Sequence, residues 1–301
     1  GQILQEGICE AGGMASFLAA GTAYAHFGIP TIPFYIFYSM FGFQRVGDMI
    51  WACGDSMCRG FLVGGTAGRT TLNGEGLQHE DGHSHVLANT VPNLLSYDPA
   101  FSFELAVIVR EGIRRMYTEQ EDVFYYVTVY NENYPQPALP DGSEDGILRG
   151  IYCFRKADEF LTDNENPQVH LLGSGSIMQQ ALQAQEELAR QGIAADVYSV
   201  TSYNLLYRDA MNCEKWNRDN PDDKEKIPFL TKVLNGATGR FIAVSDYMKV
   251  LPASIAKWVP GELVCLGTDG YGLSESRPVI REHFGISSEH IVQAALQRPA
   301  G

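Results

Sequence analysis

Short apolar runs separated by helix-length patterns recur along this chain, and that alternation is the signature of βαβ units wound into parallel sheets. Residues 32–37, 59–64 and 123–130 in the first half, and 169–172, 195–200, 241–245 and 263–266 in the second, are rich in β-branched or aromatic side chains. A helix is predicted between the strands of the first half, with Asp98 as its N-cap, Pro99 at its first position, and Phe101, Leu105, Ile108 and Val109 on one face. Another spans 177–190 and ends before Gly192. Residues 131–147 hold three prolines and four acidic side chains without apolar period and read as a linker. The expected architecture is therefore α/β: two doubly wound, mainly parallel-sheet domains, residues 1–150 and 151–301.

Of the 301 residues, 45% are hydrophobic and 15 are Tyr and 15 Phe, enough apolar surface for two packed cores. A formal charge of −14 disfavours nucleic acid and anionic membranes as partners. No uncharged apolar stretch reaches membrane-spanning length and no basic leader precedes an apolar run, so the expected location is cytoplasmic. Six scattered cysteines without a CxxC pair read as reduced thiols. The chain opens at Gly1 directly into a patterned segment, residues 2–20, as though cut from something longer; read as a helix, that segment sets Glu6 and Glu10 one turn apart.

Residues 67–85, AGRTTLNGEGLQHEDGHSH, gather His79, His83, His85, Glu75, Glu80 and Asp81 among glycines. Three readings stay open here. His79-Glu80-Asp81-Gly82-His83 matches HExxH, which on a helix binds zinc with the Glu as general base. The stretch is equally a polar surface loop, or a Gly-rich loop bringing acid–base groups close to a ligand. Six aromatics between Phe34 and Phe43 are either core or a stacking platform for a planar ring. Gly173-Ser-Gly-Ser at a βα turn lacks the third glycine of a dinucleotide fingerprint and reads as a tight connection.

Taken together, IPFYIFYSMFGFQRVGD (32–48), RGFLVGGTAGRTTLNGEGLQHEDGHSH (59–85), SYDPA (96–100), LGSGSI (172–177), DVYSVTS (196–202) and LGTDGYGLSESR (266–277) resemble the decarboxylase component of bacterial homodimeric pyruvate dehydrogenases, a branch of the transketolase-like thiamine diphosphate superfamily. The resemblance implies a pyrimidine-binding domain followed by a transketolase-type C-terminal domain, and thiamine diphosphate-dependent oxidative decarboxylation of pyruvate with acetyl transfer to the lipoyl group of an acyltransferase partner. It also implies site residues. Glu10 hydrogen-bonds the cofactor's pyrimidine nitrogen from a mostly apolar pocket, Phe41 stacks on the ring, Tyr38 lines the site, and Glu75 and His79 serve as catalytic groups, with Glu80 and His83 in support. The family's GDG motif with its downstream Asn, which holds the diphosphate and Mg²⁺, has no match here, since Asp141-Gly142, Asp145-Gly146 and Asp269-Gly270 lack the preceding Gly. The metal ligands are thus expected in an N-terminal diphosphate-binding domain, met across a homodimer interface, and the 266–277 segment near an interface or anion site through Arg277. A catalytically silent dimerisation fragment is the rival expectation.

Overall fold

The computed structural model describes residues 2–72, 75–157 and 168–297. Its first sheet contains β1 (Phe34–Tyr38), β2 (Phe61–Gly65), β3 (Leu94–Tyr97) and β4 (Phe124–Thr128), all parallel, in the order β1-β2-β4-β3. The second contains β5 (Ile151–Arg155), β6 (Val169–Gly173), β7 (Ala195–Val200), β8 (Arg240–Val244) and β9 (Leu263–Leu266), in the order β5-β7-β6-β8-β9. Only β5 runs antiparallel to its neighbour. The parallel α/β architecture expected from the sequence is thus the one observed.

Parallel sheets need both faces covered, and the second sheet obeys the two-residue period of its strands. Leu171, Val197, Ile242 and Val244 pack with Ala181, Leu188 and Ile291 of helices Met178–Arg190 and Ser288–Leu296. Leu172, Tyr198, Phe241 and Ala243 pack on the other side with Leu206 and Leu230 of helices Tyr203–Asp219 and Phe229–Val233. In the first sheet Phe61, Leu62 and Tyr125 share a core with Met14 and Phe17 of helix Glu10–Gly21 and Ile50 of helix Gly42–Asp55. Each such fully buried side chain contributes about 2 kcal/mol.

Several local expectations give way to longer-range forces. The first helix begins at Glu10, not Gln2: Gly7 takes a left-handed φ of 68°, and Cys9 becomes the N-cap by accepting the Gly12 N–H on Sγ at 3.4 Å. Glu6 is therefore not on a helix with Glu10; it accepts a hydrogen bond from Ser16 Oγ instead. Asp98 caps nothing. The helix starts at Ser102, and Glu104 Oε2 accepts the Ala100 and Phe101 N–H groups at 2.6 and 3.1 Å, while Asp98 is drawn into a buried cluster with Thr128 and Tyr130. Strands β3 and β5 have no counterpart among the expected runs. Of the expected linker 131–147, residues 144–147 instead open helix Glu144–Arg149; residues 131–143 carry no regular structure but are pinned, Glu132 pairing with Arg281 and Arg277 Nη2 donating to the Asn131 carbonyl at 3.3 Å.

Candidate active site

In open parallel sheets, ligands bind outside the carboxyl ends of strands. Here β1 and β2 end at Tyr38 and Gly65, beside a cleft of about 380 Å³ lined by Glu6 to Glu10, Tyr35 to Tyr38, Gly65 and Thr66. β1 is an edge strand, so Ile36 and Tyr38 remain exposed there. Thr66 holds a left-handed φ of 50°, a strained geometry for a β-branched residue that clusters at functional sites.

Glu10 opens its helix at one end of this cleft, and Arg45 Nη1 lies 3.0 Å from both of its carboxylate oxygens. The same guanidinium sits 4.1 Å above the Phe41 ring centroid. Tyr35 donates its hydroxyl to the Glu10 carbonyl at 3.2 Å, and burial, with Glu10's charge second, pushes that phenol up to about 12. The His79 ring meets Phe41 edge-on at 5.1 Å and Tyr38 at 5.4 Å, and its Nε2 is 3.6 Å from Glu75 Oε2. All five site residues expected from the sequence, Glu10, Tyr38, Phe41, Glu75 and His79, therefore fall in one contiguous group.

The surroundings of Glu10 differ from the mostly apolar pocket expected, because the Arg45 guanidinium lies 3.0 Å from its carboxylate. The HExxH reading fails on geometry. His79 closes a 3-10 turn, Glu80 and His83 leave it in non-helical conformations, and His83 faces Gln44 and Arg69 rather than His79. Among the described residues no group of three or more His, Cys, Asp or Glu side chains is arranged to hold a metal ion. Asn73 and Gly74 of the same stretch lie outside the described residues. The Gly173-Ser-Gly-Ser turn is buried against the first domain, with Gly175 N–H donating to the Asp98 carbonyl at 3.2 Å and Ser176 Oγ 2.6 Å from Thr71 Oγ1, so it packs domains together rather than facing a phosphate.

Apart from Glu80, expected in support, sequence reasoning missed the groups that hold the His79 loop. Asp246, just past the end of β8, accepts the Thr70 N–H at 2.8 Å and the Thr71 hydroxyl at 2.5 Å. Glu80 is only 2% exposed and accepts the Leu273 N–H at 2.8 Å; burial, offset by that N–H and Arg69, pushes its carboxyl up to about 7. Burial lowers the Arg69 guanidinium's affinity for its proton, and nearby Asp81 and Asp246 oppose this. A polar residue directly after a buried strand was the available signal for Asp246; Arg45 and Leu273 had none.

Residues 1–137 match the family model for the pyruvate dehydrogenase E1 component middle domain, and residues 150–287 match that for the transketolase-like C-terminal domain. The chain is 54% identical over 299 residues to the pyruvate dehydrogenase E1 component of Pseudomonas aeruginosa and 51% identical over 299 residues to that of Escherichia coli K12. Nearly the whole chain thus resembles proteins named pyruvate dehydrogenase E1 component. These alignments cover 99% and 98% of this chain but 33% of each relative, so the chain spans about a third of the length of the curated relatives it matches. Among solved structures, a transketolase from Leishmania mexicana aligns with a TM-score of 0.70 at 18% identity over 96% of this chain and 36% of that one. A split-gene transketolase, described as an inactive beta4 tetramer, aligns with a TM-score of 0.63 at 17% identity over 96% of this chain and 81% of that one. Both likenesses speak for the shared fold. No described helix is long and apolar enough to cross a membrane.

Proposed function

We propose that this chain supplies the aminopyrimidine side of the cofactor site in a thiamine diphosphate-dependent pyruvate dehydrogenase. The observation that carries the reading is the continuous set Glu10, Arg45, Phe41, His79 and Glu75, joined through Glu10 and Tyr38 to a cleft at the carboxyl ends of β1 and β2 that Tyr35, Phe37 and Tyr38 also line. Aromatic walls with a carboxylate at one end are the donor set for a planar ring carrying a protonatable nitrogen. Thiamine diphosphate, when bound, supplies the electron sink that lets carbon dioxide leave a 2-oxo acid.

In this reading Glu10 shares a proton with the pyrimidine nitrogen, Phe41 covers the ring face, and Tyr38 closes the cleft beside it. His79 moves a proton to or from the substrate, with Glu75 orienting the imidazole and balancing its charge. Residues 1–150 form the pyrimidine-binding domain and residues 151–301 the C-terminal domain. Diphosphate and Mg²⁺ fall to ligands on an N-terminal domain met across a homodimer interface, and the acetyl group passes to a lipoyl-bearing acyltransferase.

The test is calorimetric titration of thiamine diphosphate and Mg²⁺ into the 301-residue chain, alone and mixed with an N-terminal diphosphate-binding domain of the family. Binding that requires the mixture is expected; tight Mg²⁺-dependent binding to the chain alone, or none in either arm, overturns the split site. A second reading, a silent assembly module, draws on the one-third coverage and on the fold likeness to a split-gene transketolase described as inactive. It requires a stable complex with the N-terminal domain and no pyruvate turnover by that complex.

A further inference from the structure

The loop bearing Glu75 and His79 is short, glycine-rich and partly exposed, features that by themselves leave a catalytic pair loosely placed. Both of its ends are nevertheless tied to the second domain. At the upstream end Asp246 takes the Thr70 and Thr71 groups, and Arg277 Nε donates to the Thr71 carbonyl at 2.6 Å. At the downstream end Met248 N–H donates to the Gly82 carbonyl at 2.8 Å, and the buried Glu80 carboxylate accepts the Leu273 N–H. Between them Leu77 N–H donates to Ser274 Oγ at 3.2 Å. Gly272 lets the second domain come this close, since a Cβ there would overlap Glu80 Oε2.

We propose that the 267–277 segment of the second domain fixes the working position of His79 and Glu75, with Glu80 as the positioning residue through its hydrogen bond from Leu273. The proposal takes its catalytic meaning from the function proposed above. The clamp itself, however, is a property of this fold. Its chemistry is that of an acceptor: Glu80 adjoins His79 in the chain, so holding one carboxylate oxygen on a backbone N–H of the other domain fixes the imidazole's backbone. It also gives the LGTDGYGLSESR segment a role that reaches the site without touching substrate.

The experiment measures amide hydrogen exchange over residues 75–83 in the complete enzyme, alongside kcat and KM for pyruvate, in Glu80→Ala, Glu80→Gln, Ser274→Ala and Gly272→Ala variants. Expected for Glu80→Ala and Gly272→Ala is exchange at least about tenfold faster and kcat about 10- to 100-fold lower, with KM for pyruvate within about twofold. Gln keeps an acceptor for Leu273, so Glu80→Gln should restore protection and kcat to within about threefold. Ser274→Ala, at an exposed position that leaves the core intact, should give a smaller change in the same direction. Unchanged exchange in Glu80→Ala, Gly272→Ala and Ser274→Ala overturns the clamp, and faster exchange with undiminished kcat overturns its positioning role. Absence of pyruvate turnover in the unsubstituted enzyme removes the proposed function instead, while the exchange comparison still decides the clamp.

Discussion

Arg45 binds Glu10 through both carboxylate oxygens at 3.0 Å while lying 4.1 Å above Phe41, so one side chain occupies the two groups proposed to receive the pyrimidine ring. A ring nitrogen and a guanidinium compete for the same lone pairs. Arg45 is half exposed, and pairs of that kind are worth about 0.2–1 kcal/mol. Arg45→Met, which keeps an apolar cover for Phe41, is expected to tighten thiamine diphosphate binding by up to about fivefold in calorimetry. Weaker binding would mean that Arg45 helps to hold the ligand rather than competing with it.

Glu10→Gln removes the ionisable group but keeps the shape at the start of helix Glu10–Gly21. Because the proposed role is proton sharing, the loss should lie in turnover: about 10²–10⁴-fold in pyruvate decarboxylation followed with an artificial electron acceptor. Cofactor affinity should change by less than about tenfold. A variant that decarboxylates normally would remove Glu10 from the chemistry.

His79 is a quarter exposed, and its ring contacts among the described residues are with Tyr38 and Phe41 at the site rather than with a buried core cluster. His79→Ala is expected to lower turnover by about 10²–10⁴-fold and leave the thermal midpoint within a few degrees of the parent. A large drop in the midpoint with little loss of activity per folded molecule would make it a packing residue instead.

How much of this was legible in the sequence follows from the range of the forces involved. β7 and β9 have the bounds expected from their runs, because each is bracketed by turn residues, Gly192 and Ser202 around β7 and Gly261 and Gly267 around β9, which sequence displays directly. β3 escaped notice because it has four residues, two of them Ser96, which accepts from Asn204 of the second domain, and Tyr97, whose hydroxyl donates to the Leu148 carbonyl. Asp98-Pro99 has the local form of a helix start, yet the energy of a buried polar cluster outweighed it. The grouping of Glu75 with His79 was legible because both sit in one unusual stretch. Arg45, 35 residues from Glu10, and Leu273, 193 residues from Glu80, act through space, and one sequence carries no trace of such pairings.

Asp98 gives the last prediction, on pH. It is 4% exposed, bonded to Thr128 Oγ1 at 2.7 Å and to the Tyr130 hydroxyl, and burial, offset by those hydrogen bonds, pushes its carboxyl up to about 7. In the unfolded chain the same group ionises near its ordinary value of about 4. Between these values the folded state holds a proton that the unfolded state has lost, so the contribution to stability is full in acid and declines as pH rises towards 7, by at most about 1.4 kcal/mol per pH unit. His85, buried 4.0 Å away and pushed down to about 4 by desolvation, works the other way: its neutral form is favoured by folding, and that advantage is lost as pH falls from about 6.5 towards 4. Asp98→Asn keeps an acceptor for Thr128 and Tyr130 but cannot ionise. Thermal unfolding between pH 5 and 8 should therefore show the parent losing ground to the Asn variant as pH rises, with the two curves converging at the acid end. A variant whose midpoint runs parallel to the parent's across that range would mean that Asp98 is already ionised in the fold, with its charge held by the hydroxyls around it.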